Sequence, residues 1–479
     1  MKLKPFLLAV NLFTLVGAVS ARADITLNYN FTSAATVPDG FGQLSDVKTL
    51  GGLSGMTEIN NVVTRLNLST SNVNDPMFLG DLYSSLTLGT SSEAQRIAVL
   101  LNRPGRDNTS AFGSGLSSLD VTLDDSTAGT HVWSTTSSTG TYSSDGRLGV
   151  NPNAAGVAFA SGSNSLTVLD GVTLASNRVS LLVADFSQGG TATLAGWGVS
   201  VTGTAATSGT FTPGANASIS DSGPSPTTVG AILNTTGASG GSLMIDLAGT
   251  MTFSNGVTGS AGLNKAGAGT LVLEGVSNFN GATTVTAGKL TITGAIATSS
   301  VLVSSGGTLA GESSDGGLTN GKVSAITLSG GSGTGGILAP GNGTAGDLGA
   351  LYGTSLTWNG ATESTFSQML FDLGSSNASD KLELSGAMTK GTGSIFEWDF
   401  GNTGVLNSTY TLVTALGGFG IGATLFDPGD FTPKNLASGV TGSFSISGNN
   451  LQFTTVPEPT SAVVGLLIGA GLLRRRRVV

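Results

Sequence analysis

The chain of 479 residues has no cysteine, which excludes disulfides, thiolate nucleophiles and cysteine metal sites. It has one histidine, His131, so a multi-histidine metal centre is excluded and any Ser-His-Asp triad would have to use that residue. His131 stands in Thr130-His131-Val132-Trp133 with no Gly-x-Ser-x-Gly elbow nearby, and reads as a surface strand histidine. Charged side chains make up only 10% of the chain and glycine contributes 74 residues. Glycine costs about 1 kcal/mol per helical position relative to alanine, so β structure is expected. Basic residues are scarce: between Asp24 and Val456 there are 13 against 28 acidic ones, a net charge of −15. Such a surface repels nucleic-acid phosphates, and nucleic acid is not expected as a partner. The same span has no apolar run of membrane-spanning length. Stability must therefore come from burial and backbone hydrogen-bond ladders, and the chain is long enough to supply both.

The two ends carry export signals. Lys2 and Lys4 precede an apolar run from Phe6 to Val19, interrupted by Asn11, and Ala21-Arg22-Ala23 offers small residues before a cut at Asp24. That is the layout of a secretory signal peptide. At the other end, Val456-Pro457-Glu458-Pro459 is followed by an apolar stretch from Ala462 through Leu466, Leu467, Ile468 and Leu472 to Leu473, then by Arg474, Arg475, Arg476 and Arg477. About 12 helical residues cover roughly 18 Å, short of the roughly 30 Å hydrocarbon core, so the helix would hold a membrane weakly. Four arginines favour a cytoplasmic C-terminus and leave everything upstream of Pro457 outside. A core helix would alternate apolar and polar faces and would not bury those charges. Motif, short helix and arginine cluster together resemble the PEP-CTERM sorting signal of bacterial exosortase substrates. The resemblance implies passage through the secretion translocase, transient anchoring in the inner membrane and cleavage by an exosortase near Pro-Glu-Pro. It places the product at the cell surface or in the extracellular matrix of a bacterium with a double membrane.

From Asp24 to about Gly203, short alternating segments are separated by turn residues at irregular spacing, as in a sandwich. Trp197, Val199 and Val201 alternate with Gly198, Ser200 and Thr202, giving one apolar face. Val179, Leu181 and Val183 surround an apolar Leu182, which suggests burial on both faces, and Ile97 to Leu101 reads likewise. Several motifs follow in order: Asp81-Leu82-Tyr83, Val99 to Gly105, Asp120 to Asp125, and Leu182 to Asp185 through Gly190-Thr191 to Leu194-Ala195-Gly196-Trp197. Together they resemble the jelly-roll P domain that follows subtilisin-like catalytic domains. This resemblance implies a module that stabilises or binds and does not catalyse.

A Thr, Ser, Gly and Pro-rich passage, 204–228, reads as a linker. Beyond it Gly269-Thr270-Leu271, Gly288-Lys289-Leu290 and Gly307-Thr308-Leu309 recur at an interval of 19, and Gly336-Ile337-Leu338 comes 29 later, with an insertion around Glu312 to Asn320. A fixed period near 20 marks a parallel β-helix in which each rung buries its apolar face against the next. Glycine at each corner is expected to carry positive φ. Gly262 to Leu273, Asn278 to Gly281 and Thr283 to Leu290 resemble the autotransporter-associated β-strand repeat, and Leu338 to Asn342 resembles the segment that commonly follows it. No amphipathic barrel strands follow, so self-translocation is not implied. Segments from Leu356 to Phe453 continue as strands, finishing the solenoid or forming a separate small sandwich.

The expected fold is all-β: a signal peptide (1–23), a jelly-roll-like sandwich (24–203), a linker (204–228), a right-handed parallel β-helix with its cap (229–455), and a sorting tail with one hydrophobic helix (456–479). Carboxylate chemistry needs two acids about 5 to 10 Å apart. Asp124 with Asp125, Glu397 with Asp399, and Asp427 with Asp430 are the candidates, each explained more economically by turns or solvated faces. No cofactor is expected, although Asp120, Asp124, Asp125 and Asp185 would together offer oxygen ligands to calcium if folding joined them. The expected role is structural or adhesive, without catalysis, with extracellular polysaccharide as a partner. The rivals are a carbohydrate-binding surface protein and a carbohydrate-active β-helix enzyme.

Overall fold

The computed structural model describes residues 24–458 apart from 71–73, 90–95, 107–109, 111, 127–128, 148–163, 172–176, 222–225, 297, 314–315, 318–319, 331–334, 342–345, 363–367 and 421–424. The signal segment up to Ala23 and the tail from Pro459, with its apolar stretch and arginines, lie outside these residues. Strands dominate, and no helix among the described residues is long and apolar enough to cross a membrane.

Eight principal strands build the N-terminal sandwich: Asp24–Val37, Gly42–Thr49, Met56–Ser69, Leu82–Leu88, Arg96–Asn102, Ser118–Leu123, Arg178–Asp185 and Ala192–Ala205. They pair antiparallel as a rolled-up hairpin, first with eighth, second with seventh, third with sixth and fourth with fifth. The two sheets therefore run 1-8-3-6 and 2-7-4-5, which is jelly-roll connectivity. Alternation decides which side faces in. Ile25, Leu27, Tyr29 and Phe31 meet Val62, Leu66, Leu68, Trp197, Val199 and Val201 in the buried layer. Leu182 is only half-buried, so its strand faces the core on one side, contrary to the expectation of two buried faces. Ala98 to Leu101 is buried throughout, while Ile97 is exposed.

Residues 204–228, expected as a linker, contain the strands Thr210–Phe211, Ala217–Asp221 and Thr227–Val229. Ala217–Asp221 lies antiparallel to the free edge of the first sandwich strand, with Leu27 opposite Ile219, and parallel to Ser242–Asp246 on its other side. One sheet of 13 strands thus runs unbroken from the sandwich into the solenoid. A composition of Thr, Ser, Gly and Pro hides this, because backbone ladders need no particular side chain.

Each coil of the parallel β-helix contributes one strand to each of three faces, and eight such coils occur among the described residues. On the second face Met251, Leu271, Leu290, Leu309, Leu338, Met369 and Trp398 stand in register, all fully buried. Burying one such side chain contributes about 1.5–3 kcal/mol, and the next coil is what excludes its water. The insertion falls between strands Gly307–Gly311 and Lys322–Val323, and the later coils keep long excursions of this kind. The strands beyond Asn342 continue the solenoid. They end in Phe431–Leu436, added parallel to Phe396–Thr403, and in the hairpin Val440–Ser447 with Asn450–Pro457, added antiparallel to Thr409–Ala415. Trp398, Phe400, Phe431, Phe444 and Phe453 pack there with centroids 4.7–6.3 Å apart, covering the last rung.

Of the repeat glycines, only Gly288 has the expected positive φ, +62°. Gly269 and Gly307 are required by close approach: a Cβ there would collide with Gly249 O and Val285 O of the preceding coil. Leu290→Ala should lower stability by about 2–5 kcal/mol in chemical denaturation. Thr252→Ala, on the outward side of the same face, should shift it by under about 0.5 kcal/mol. Equal losses at the two positions would contradict the stacking.

Candidate functional site

Loops gather binding residues where a rigid scaffold holds them, and one end of the sandwich does this. The turn after the first strand is pinned to the end of the seventh: Gly40 N–H donates to Ser187 O at 3.2 Å and Phe41 N–H to Asp185 O at 2.7 Å. Phe186 N–H donates to Asp81 O at 2.9 Å, and Arg103 donates through its backbone N–H to Leu82 O (2.8 Å) and through Nε to Gly80 O (2.6 Å). Segments from four places in the sequence are thereby joined.

Two features of this end are costly. Phe41 has φ +69° and Arg103 has φ +55°, a left-handed backbone that costs a residue with a Cβ about 1–2 kcal/mol. Phe41 adds a second cost, because its ring is 80% exposed. It lies edge-on to Phe186 at 6.3 Å, Phe186 lies edge-on to Tyr83 at 6.1 Å, and the Arg103 guanidinium sits 5.9 Å from the Phe186 ring. Beneath the rings Asp81 is buried with Arg103 Nη2 3.6 Å from its carboxylate. Burial pushes the Asp81 carboxyl up, against the pull of Ser187 and Arg106. Burial likewise lifts Asp185 to about 6, against the Ser187 N–H and with Asp81 and Asp39 adding to the rise. Composition and motif spacing missed Phe41; its only sequence signal is an aromatic directly after the Asp39-Gly40 turn pair.

The expected chemistry residues are dispersed. Glu397 and Asp399 share a strand face as anticipated, but Glu397 is buried 3.2 Å from Lys434 Nζ, and Asp399 accepts from Gly401 N–H (2.9 Å) and Asn435 Nδ2 (2.8 Å). Asp427 and Asp430 form a capping box, with Lys390 Nζ 2.6 Å from Asp430. Asp124 holds Ser126, and Asp125 holds the Ser144 N–H and hydroxyl and the Leu166 N–H. Asp120 forms a two-point ion pair with Arg65. Asp185 stands apart with Asp81 and Asp39, so the four aspartates considered for calcium do not converge. Among the described residues no group of three His, Cys, Asp or Glu side chains could hold a metal. His131 lies in an isolated bridge before a tight turn, not in a strand, with Nδ1 2.8 Å from Ser144 O and its ring stacked on Trp133.

At the chain ends, Asp24 opens the first strand, where its carboxylate accepts from Asn60 Nδ2 at 2.9 Å. Val456 and Pro457 belong to the last strand, opposite Thr441 and Val440, and Glu458 N–H donates to Gly439 O at 3.0 Å. The body therefore extends two residues past the expected boundary at 455. Ala21, Ala23, Pro459, Ala462 to Leu473 and Arg474 to Arg477 lie outside the described residues.

In the solenoid, Lys265 occupies an inward position between Ile245 and Val285. Its stem fills the apolar ladder, and Nζ donates to the carbonyls of Ala266 (2.6 Å), Gly267 (2.9 Å) and Ala287 (3.2 Å), which joins two coils. Residues 263–292, which include this lysine, match the family model of the passenger-associated transport repeat. No curated protein matches the chain. The match supports an autotransporter-associated β-strand repeat in this segment, consistent with an exported or cell-surface protein.

The acid at the loop end sets a pH dependence. The folded Asp185 pKa of about 6 lies above its ordinary 3.8, so the folded chain keeps the proton longer and stability falls as pH rises between those values. Above that window the full penalty for ionising a buried carboxylate is present. Asp185→Asn should therefore gain melting temperature relative to the parent between about pH 4 and about pH 7. A difference that stays constant across the window would contradict this.

Proposed function

We propose that this protein is a non-catalytic component of the cell surface or extracellular matrix of a double-membrane bacterium, with a structural or adhesive role. The observation that carries the reading is the passenger-type repeat at 263–292 set within a continuous stack of coils. A stalk of in-register parallel strands holds its shape without disulfides, which suits exposure outside the cell. The carboxylate pairs that turnover would need are engaged in ion pairs, caps and turns, which favours a scaffold.

In this reading the secretion translocase exports the chain, and cleavage after Ala23 removes residues 1–23. The C-terminal helix then rests transiently in the inner membrane, and an exosortase cuts near Pro-Glu-Pro. The fold supports a cut on the C-terminal side of Glu458. A cut there keeps the last ladder contact, Glu458 N–H to Gly439 O, whereas one before Val456 would strip the terminal hairpin of two paired residues. The sandwich serves as a P-domain-like module that binds and does not cleave. The acidic body disfavours nucleic acid, and extracellular polysaccharide is the partner in this reading.

Intact mass of the protein recovered from the cell surface tests this reading. The expected product begins at Asp24 and ends after Glu458, without Arg474 to Arg477. A cytosolic protein with both ends uncut would contradict it, and surface protein that retains the arginines would remove the exosortase step.

A further inference from the structure

We propose that the loop end of the sandwich is a binding site for a neutral polysaccharide, with the ring row Phe41, Phe186 and Tyr83 as its platform. The proposal deepens the surface reading and rests on it. Phe41 combines a left-handed backbone with an 80% exposed ring, so neither local conformation nor burial accounts for a phenyl group there. Glycine would satisfy the same turn at lower cost. Its backbone is pinned by the 2.7 Å bond from its N–H to Asp185 O, and its ring makes an edge contact with Phe186. An exposed aromatic face carried on a pinned turn is what the C–H face of a pyranose ring packs against.

Polar groups border the rings. Asp39 is exposed, with both carboxylate oxygens 3.2 Å from Gly189 N–H, which fixes its plane at the rim. Gln188 is also exposed and packs beside Gly40. Carboxylate and amide groups accept and donate in one plane, the geometry that pairs with neighbouring sugar hydroxyls. Arg103 Nη2 lies 3.6 Å from Asp81, and Arg106 also attracts that carboxylate, on a body whose net charge is −15. A polyanionic glycan would be repelled by that body; a neutral one would not. The rings follow one another at centroid separations of 6.3 and 6.1 Å, each edge-on to the next.

The test is affinity electrophoresis of the full exported chain through native gels containing mixed-linkage β-glucan, xylan, glucomannan or dextran, with alginate as the anionic comparison. At least one neutral polymer should retard the parent, and alginate should not. Phe41→Gly should weaken that retardation about tenfold, the loss of one stacked ring, while its melting temperature stays level or rises. Each of four results would overturn the proposal: no retardation by any neutral polymer, preference for alginate, undiminished binding by Phe41→Gly, or a melting temperature lowered by several degrees in that variant. Self-association of the parent that Phe41→Gly abolishes would assign the rings to a second copy and also overturn it. Fractionation of cells expressing the parent keeps the two readings apart, since a surface-located chain that binds no glycan sinks this proposal alone.

Discussion

The structure depends on backbone ladders between strands that lie in register from one end of the molecule to the other. A coil of a β-helix has no stable existence alone, because its apolar side chains and its edge N–H and C=O groups are satisfied only by the coils above and below. The stack therefore needs a start and a stop. The start is the strand Asp24–Val37, whose free edge pairs with Ala217–Asp221. Asp221 then accepts from Ala248 N–H (3.0 Å) and from Gly249 N–H, which stitches the first coil to the second. The stop is the antiparallel hairpin ending at Pro457, with the aromatic cluster beneath it. In a chain without cysteine, these two caps take the place of covalent staples.

The same dependence explains where polar and strained groups are tolerated. Lys265 can stand in an apolar column because its ammonium reaches three carbonyls at a corner. Gln368, buried near the cap, accepts from Trp358 Nε1 at 2.8 Å and donates to Ser329 O at 2.9 Å, binding neighbouring coils through one side chain. These groups reinforce the stack. Phe41 and Asp185 do not. They sit at the loop end of the sandwich, where a left-handed backbone and a buried carboxyl lie side by side and no coil depends on them.

Legibility followed the same physics. The interval of 19 between Leu271, Leu290 and Leu309 was plain because those coils have minimal corners, and the ladder reproduces it residue for residue. The alternation at Trp197, Val199 and Val201 marked the sandwich just as directly. Beyond Leu309 the inward positions Leu338, Met369 and Trp398 follow at 29, 31 and 29 residues, so the coil lengthens by an excursion of varied sequence, and the Gly-x-Leu motif that marks the shorter coils does not recur at Met369 or Trp398. The strand Ala217–Asp221 escaped notice because its role is to pair backbone, which Thr, Ser and Gly do as well as any residue. At Gly269 and Gly307 the neighbouring coil, invisible in the sequence, and not a positive φ, is what forbids a side chain. At the loop end, Asp81, Arg103 and Asp185 fell within motifs noted for their order, yet their convergence on Phe41 required the fold.

Hydrogen–deuterium exchange on the full exported chain addresses the continuity of the ladder most directly. If the sandwich strand templates the solenoid, amides in 217–221 should be protected to the same degree as those in 25–31 and 263–265, and all three should open together in denaturant. Fast exchange across 217–229, with sandwich and coils protected on either side, would show a spacer between independent bodies and would contradict the account.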